Sequence, residues 1–287
     1  MEKSVNDAHR LKQIQECGRY VMAEFDRICT ELGLRYVVYG GSAIGAIRHQ
    51  GFIPWDDDVD VCMPREDYDV LLERAPQILA DQFILLDYKN TPEYPKTFGL
   101  LGLRGSEFIP KVAAKRKFKV PIGVDIFPLD RLATDGRQLA AQTRRTWIWG
   151  RFLYIYGTPT ANLAGPAVVQ AALKAALHII HGTLHLLRVK PSYLAKKWEQ
   201  AARRCENTDG AYGDFSTRDP RRWSATAQEL FPAKRMPFDD ISVMVARQHD
   251  AVLTRHFGDY MAIPPKADQV NHEAASVKFG PYFPADK

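Results

Sequence analysis

The spacing of apolar and polar positions changes several times along the chain, and each change marks an element. Leu11, Ile14, Val21, Phe25, Ile28 and Leu32 recur at helical spacing, which predicts an amphipathic helix over 4–32 stopped by Gly33. Tyr36-Val37-Val38-Tyr39 is a short β-prone run broken by Gly40 and Gly41, and 42–48 then reads as a short helix capped by Ser42. Val59-Asp60-Val61-Cys62-Met63 predicts a buried strand, with Pro64 opening a helix over roughly 65–80. Strands are expected near 83–88, 97–104 and 122–127. From 131 to 206 the pattern is helical, 207–235 is polar and loop-rich, and 246–257 is a last helix.

One stretch breaks the apolar logic. Asp56, Asp57, Asp58 and Asp60 stand at the mouth of the predicted strand 59–63. Each like-charge pair at about 4 Å costs roughly 1 kcal/mol in water and several times that near protein, so a buried strand can carry them only with a counterion. The period of two puts Asp58 and Asp60 on one face while Val59 and Val61 face the core. Two carboxylates on one face are oxygen donors of the kind that hold Mg²⁺ or Mn²⁺. A calcium loop is excluded, because its Gly and bidentate Glu positions hold Val61 and Asp67, with Pro64 between.

Upstream, the Gly40-Gly41-Ser42 turn and the helix it opens would present free N–H groups to an anion. Arg48 and His49, between this turn and the aspartates, fall where a diphosphate would sit, and an arginine fork suits phosphate. Asp125 lies in the apolar run 122–127, ended by Pro128, and an isolated carboxylate there is costly unless paired or metal-bound. Asp130 reads instead as a helix cap. A turn of small residues beside carboxylates points to metal-dependent phosphoryl transfer on a nucleotide-linked donor.

The 131–206 region carries its own signal. Residues 163–189 are largely apolar, yet Lys174, His178, His181, His185 and Arg188 form a polar stripe that argues against a membrane span. Aromatic residues 147–156 interleaved with Arg144, Arg145 and Arg151 favour peripheral contact with a membrane surface. Lys111, Lys115, Arg116, Lys117 and Lys119 form a basic stretch that reads as a solvated loop, a lid over a diphosphate or a contact to anionic lipid or polymer.

Composition adds limits. A chain of 287 residues, 46% hydrophobic, can bury a large core, and one catalytic domain over 1–287 with a helical insertion at 131–206 is expected. Cys17, Cys29, Cys62 and Cys205 show no metal-ligand spacing and read as reduced thiols. With no apolar stretch after the first charges, a cytoplasmic location is expected, at the inner face of the membrane if contact occurs. The net charge of +5 is mild and implies no nucleic-acid partner.

The Gly-Ser turn followed by Asp-x-Asp is the arrangement of the nucleotidyltransferase fold, and residues 38–72 resemble the signature of the LicD family, above all Gly51-Phe52-Ile53-Pro54-Trp55-Asp56-Asp57-Asp58-Val59-Asp60. Val124-Asp125-Ile126-Phe127-Pro128-Leu129-Asp130 resembles its second acidic block, and Phe257-Gly258-Asp259-Tyr260-Met261 with Pro264-Pro265 and His272 its C-terminal block. The resemblance implies an α/β (α+β) fold with a nucleotidyltransferase-like mixed sheet, flanking helices and a helical insertion. It also implies transfer of a phospho-alcohol, phosphocholine foremost, from CDP-choline or a CDP-alditol to a cell-surface or lipid-linked glycan. On that reading Asp58, Asp60 and Asp125 are catalytic, and Asp56, Asp58, Asp60 and Asp125 hold the metal. Gly41, Ser42, Arg48, His49 and His272 bind substrate, His272 by resemblance alone. The rivals are a nucleotidyltransferase using a nucleoside triphosphate and an inactive glycan- or lipid-binding module.

Overall fold

The computed structural model describes residues 2–111, 114, 118–158 and 166–283, with side chains from residue 8 onward. Lys115, Arg116 and Lys117 of the basic stretch lie outside the described residues.

The chain opens with α1 (Glu2–Leu32), closed by Gly33 in the left-handed region at φ +66°. Then come β1 (Val37–Val38), α2 (Gly40–Ile44), a π-helical turn over Gly45–His49, β2 (Val59–Pro64) and α3 (Arg65–Arg74). Next are β3 (Phe83–Leu86), β4 (Gly99–Leu103), β5 (Glu107–Pro110) and β6 (Gly123–Arg131). Three helices follow: α4 (Gly136–Gly157), α5 (Ala167–Leu186) and α6 (Pro191–Ala202). The remainder is β7 (Tyr212–Gly213), β8 (Ser224–Ala225), α7 (Ala227–Leu230), β9 (Lys234–Phe238), β10 (Ile241–Val245), α8 (His249–Phe257) and β11 (Ala274–Lys278).

The main sheet runs β1-β2-β6-β4-β3, with β7 joined to the far end of β6 and β8 to β7. Only β2 and β6 pair in parallel, so the sheet is mixed, as the nucleotidyltransferase-like expectation required. Alternation decides its two faces. Val59, Val61, Val124 and Ile126 are at most 1% exposed and share one core cluster with Val21, Phe25 and Ile28 of α1. Gly18 permits this fit, since a Cβ there would stand 3.1 Å from Val59 Cγ2. Asp60 and Asp125 fall on the alternate positions, and both are half-buried.

Several expectations need correcting. The strand predicted to end at Pro128 runs on to Arg131, and Asp130 is a buried strand residue, not a helix cap. Asp135 caps α4 instead, accepting from the Gln138 N–H at 2.9 Å. Ser42 is inside α2, whose cap is Tyr39, and its hydroxyl serves a strand rather than the helix. The β9–β10 hairpin and the β5–β11 ribbon were not expected. Their short, half-exposed strands carry no clean alternation of apolar and polar residues.

All four cysteines are free and buried.

Candidate active site

The site grows from the register of two parallel strands. Asp60 of β2 and Asp125 of β6 are direct partners across the ladder, so their carboxylates leave the sheet side by side. The Gly-Gly-Ser turn is sewn to the same strand. The Asp60 N–H donates to Ser42 Oγ at 2.9 Å, and the Tyr39 N–H donates to the Asp60 carbonyl at 2.8 Å. Gly40 takes φ +56°. At Gly41 a Cβ would lie 2.6 Å from Asp56 Oδ2, so the missing side chain lets that carboxylate sit against the turn. From the opposite side, Gln15 of α1 donates to the Asp56 carbonyl at 2.8 Å and fastens the acidic loop.

The electrostatics are those of negative charge gathered without enough relief. Burial pushes Asp60 well above the usual carboxylate range, and the charges of Asp58, Asp125 and Asp56 push it further. Burial likewise raises Asp56 to about 8, with Asp58 adding to it. Asp58 is raised by burial, against the pull of His272.

Two cations reach into the cluster. Lys96 Nζ sits 2.8 Å from both oxygens of Asp125. His272, delivered by the segment leading into β11, places Nδ1 2.8 Å from Asp57 Oδ1 and 3.5 Å from Asp58 Oδ2. Its backbone N–H also donates to Asp57. The Asp57 hydrogen bond lifts the His272 imidazole to about 9, so it is an imidazolium at neutral pH.

Of the residues expected from sequence, Gly41, Ser42, Asp56, Asp58, Asp60, Asp125 and His272 converge here. Among the described residues, Arg48 and His49 form no hydrogen bond or ion pair with these carboxylates. The Arg48 guanidinium donates to the carbonyls of Tyr260 and Ala262 at 2.8 and 2.9 Å and to His49 Nε2 at 2.9 Å, tying the π-helical turn to the C-terminal block. Two residues escaped the sequence reading. Asp57 is buried and orients His272, and Lys96 neutralises Asp125. No motif marks Lys96, which reaches Asp125 because β4 pairs with β6 and sets Leu100 opposite Asp125.

A metal fits these residues. Asp57, Asp58 and His272 each offer a ligand atom within 4.8 Å of the others, a grouping that differs from the expected Asp56, Asp58, Asp60 and Asp125. A protonated imidazole cannot ligate, so His272 is a counter-charge while it is an imidazolium. The donors that remain are carboxylate oxygens, whose raised proton affinity marks a shortage of positive charge that a hard divalent cation would meet.

Below the cluster opens a cavity of about 270 Å³, with Asp57, Asp58, Asp125, Lys96 and His272 at its charged end and Leu100, Phe108, Phe118, Val120 and Ile122 along its apolar side. A second cleft, of about 310 Å³, lies across Lys96, between α4 and the 215–218 loop.

A mixed sheet with paired carboxylates beside a Gly-Gly-Ser turn defines a nucleotidyltransferase-like domain. Residues 33–96 match the family described as LicD/FKTN/FKRP, nucleotidyltransferase domain, a span that takes in the turn and the aspartates and ends on Lys96. The chain is 26% identical over 267 residues to the lipopolysaccharide cholinephosphotransferase LicD of Haemophilus influenzae, covering 88% of this chain and 91% of that protein. It is also 42% identical over 57 residues to the human ribitol 5-phosphate transferase FKRP, covering 20% of this chain and 11% of that protein. The chain is therefore similar to LicD-type transferases of phosphorus-containing groups, most clearly over the turn and the aspartates.

Proposed function

We propose that this protein transfers a phospho-alcohol, phosphocholine foremost, from a CDP-linked donor to a hydroxyl of a cell-surface or lipid-linked glycan. The observation that carries this reading is the in-register pair Asp60 and Asp125, crowded by Asp56 and Asp58 beside the Gly41 turn. The names of the relatives, one a cholinephosphotransferase and one a ribitol 5-phosphate transferase, support the transferred group. We also read the chain as one catalytic unit, with 131–206 as a helical insertion between the paired strands β6 and β7.

Asp58 and Asp60 would hold Mg²⁺ or Mn²⁺, with Asp56 beside them and Asp125 completing the donor set. When bound, the ion supplies charge neutralisation on the donor diphosphate. Asp125 orients the acceptor hydroxyl and takes its proton as the oxygen attacks the phosphorus bearing the alcohol. The new P–O bond forms as the P–O bond to CMP breaks, and the Lys96 ammonium stabilises the charge gathering there. Ser42 fixes the Asp60 backbone, and His272 fixes Asp57, so both carboxylates are set before substrate arrives.

The cleft across Lys96 is where we place the acceptor. Trp147, 41% exposed, offers a stacking face, and Arg151 and Arg218 offer forks for an anionic sugar or phosphate. Titration calorimetry with CDP-choline, CDP-ribitol, CDP-glycerol and CTP, in Mg²⁺ and then in EDTA, tests the donor. Metal-dependent preference for one CDP-alcohol is expected, and preference for CTP alone, or indifference to metal, would contradict it.

A further inference from the structure

The helix α5 carries a surface that the transfer reaction does not use. None of the 20 residues of α5 is buried, although by length and composition the helix is apolar enough to cross a membrane, with a mean hydropathy of 1.3. It is held to α4 on one side and keeps apolar side chains exposed on the other. His181 Nδ1 contacts the Ile155 carbonyl of α4 at 2.9 Å, and the His185 ring stacks on Tyr156 with centroids 4.4 Å apart. Val168, Ile179 and Leu186 point away from the protein, at 81, 68 and 82% exposure. They are about three and two helical turns apart, so they form one ridge. The side toward the protein carries Leu177, Ile180, His181 and Leu184, so a helix that still keeps an apolar ridge in the open is built for an apolar surrounding, not for water.

Charge names that surrounding. Between Gly136 and Trp198 the sequence holds nine Lys and Arg and no Asp or Glu, in a chain with 34 acidic residues. Arg144, Arg145, Arg188, Lys190, Lys196 and Lys197 belong to this set, and none of them forms a salt bridge among the described residues. A second copy packed ridge to ridge would bring its own uncompensated cations against these. An anionic lipid surface satisfies ridge and charge together.

We propose that α5 lies in the headgroup region of a bilayer containing anionic phospholipid, its Val168–Ile179–Leu186 ridge toward the acyl chains and the cations of α4 and α6 on the headgroups. The helix lies along the surface instead of crossing, because crossing would strip His181 and His185 from α4, which itself packs on α6.

The test reads binding, not activity, so it stands apart from the proposed reaction. The full chain is sedimented with vesicles of phosphatidylcholine alone or mixed with phosphatidylglycerol, at low and high salt. Pelleting with the mixed vesicles is expected, weakening as salt screens the headgroups. Ile179→Glu with Leu186→Glu lowers vesicle affinity at least about tenfold without shifting the melting temperature, because both side chains leave the fold exposed. Arg144→Gln with Arg145→Gln weakens binding at low salt, whereas Asp60→Asn binds vesicles like the wild type. Failure of the wild type to pellet with mixed vesicles overturns the proposal. So does undiminished pelleting of the Ile179/Leu186 variant, or a wild-type dimer that this variant dissociates.

Discussion

The strands β2 and β6 carry buried charge at both ends, and the two ends are opposites. At the start of the ladder Asp60 faces Asp125, with Asp56 and Asp58 adding to the repulsion. At its far end Arg65, the first residue after β2, makes two hydrogen bonds of 2.8 and 2.9 Å to Asp130 of β6, with Glu199 of α6 3.5 Å away. Burial pushes the Asp130 carboxyl up, but the Arg65 charge and hydrogen bonds pull it back. Asp130 is 1% exposed and paired in full, whereas the carboxylates of the other end share Lys96 and His272. A satisfied buried charge binds elements together, and an unsatisfied one waits for a ligand.

Breaking each end separates the two roles. Asp58→Ala or Asp60→Asn lowers transfer by about 10³-fold or more, as loss of a group that organises charge in the transition state does. The melting temperature of the metal-free protein then holds or rises, because a repulsive charge has been removed. A turnover assay with a thermal melt checks both. Arg65→Ala or Asp130→Ala does the reverse. Stability falls by about 3–5 kcal/mol, read by denaturant titration, because one buried charge loses its partner, while turnover per folded molecule is retained.

Lys96 sharpens the comparison, since it is the ammonium that touches the unsatisfied end most directly. Lys96→Gln lowers turnover by about 10- to 100-fold, with little change in melting. An unchanged turnover would make the lysine a purely structural partner of Asp125.

Protons give the smallest effect and work in one direction. Asp56 is raised from 3.8 to about 8, so its contribution without metal is lost as pH climbs from about 4 to 8. His272 is raised from 6.5 to about 9, so its contribution is present below about 6.5 and lost as pH rises through 9. The metal-free protein therefore loses stability toward alkaline pH. A divalent cation competes with those protons, so the rise in melting temperature on adding Mg²⁺ should be larger at pH 8 than at pH 5. Equal shifts at both would detach the metal from these carboxylates.

How far sequence reached follows the same divide. The acidic end was legible because its violation is local: four aspartates at the mouth of a Val-rich strand need an explanation wherever the chain goes. The α1 stripe and the strands β1, β2, β3, β4 and β6 were legible from the sequence pattern, although β6 proved longer than expected and β7 and β8 lie in a stretch read as loop. Asp130 was not, because its partner Arg65 is distant in sequence and meets it only through the parallel ladder. Lys96 and Asp57 were missed for the same reason, since each owes its role to a residue far along the chain. Arg48 shows the converse, an arginine placed beside a phosphate motif whose guanidinium is spent on backbone carbonyls. The exposed apolar ridge of α5 also needed the fold, for the sequence shows a stripe but not which residues the protein leaves uncovered.

The most direct test of the account is the leaving group. The protein is incubated with CDP-choline and Mg²⁺ beside a glycan acceptor, and the released nucleotide is identified by mass. The account predicts CMP in equal amount to phosphocholine-modified acceptor, lost in EDTA and in Asp60→Asn. Pyrophosphate released from CTP in place of CMP, or CMP release that survives both EDTA and Asp60→Asn, would contradict it.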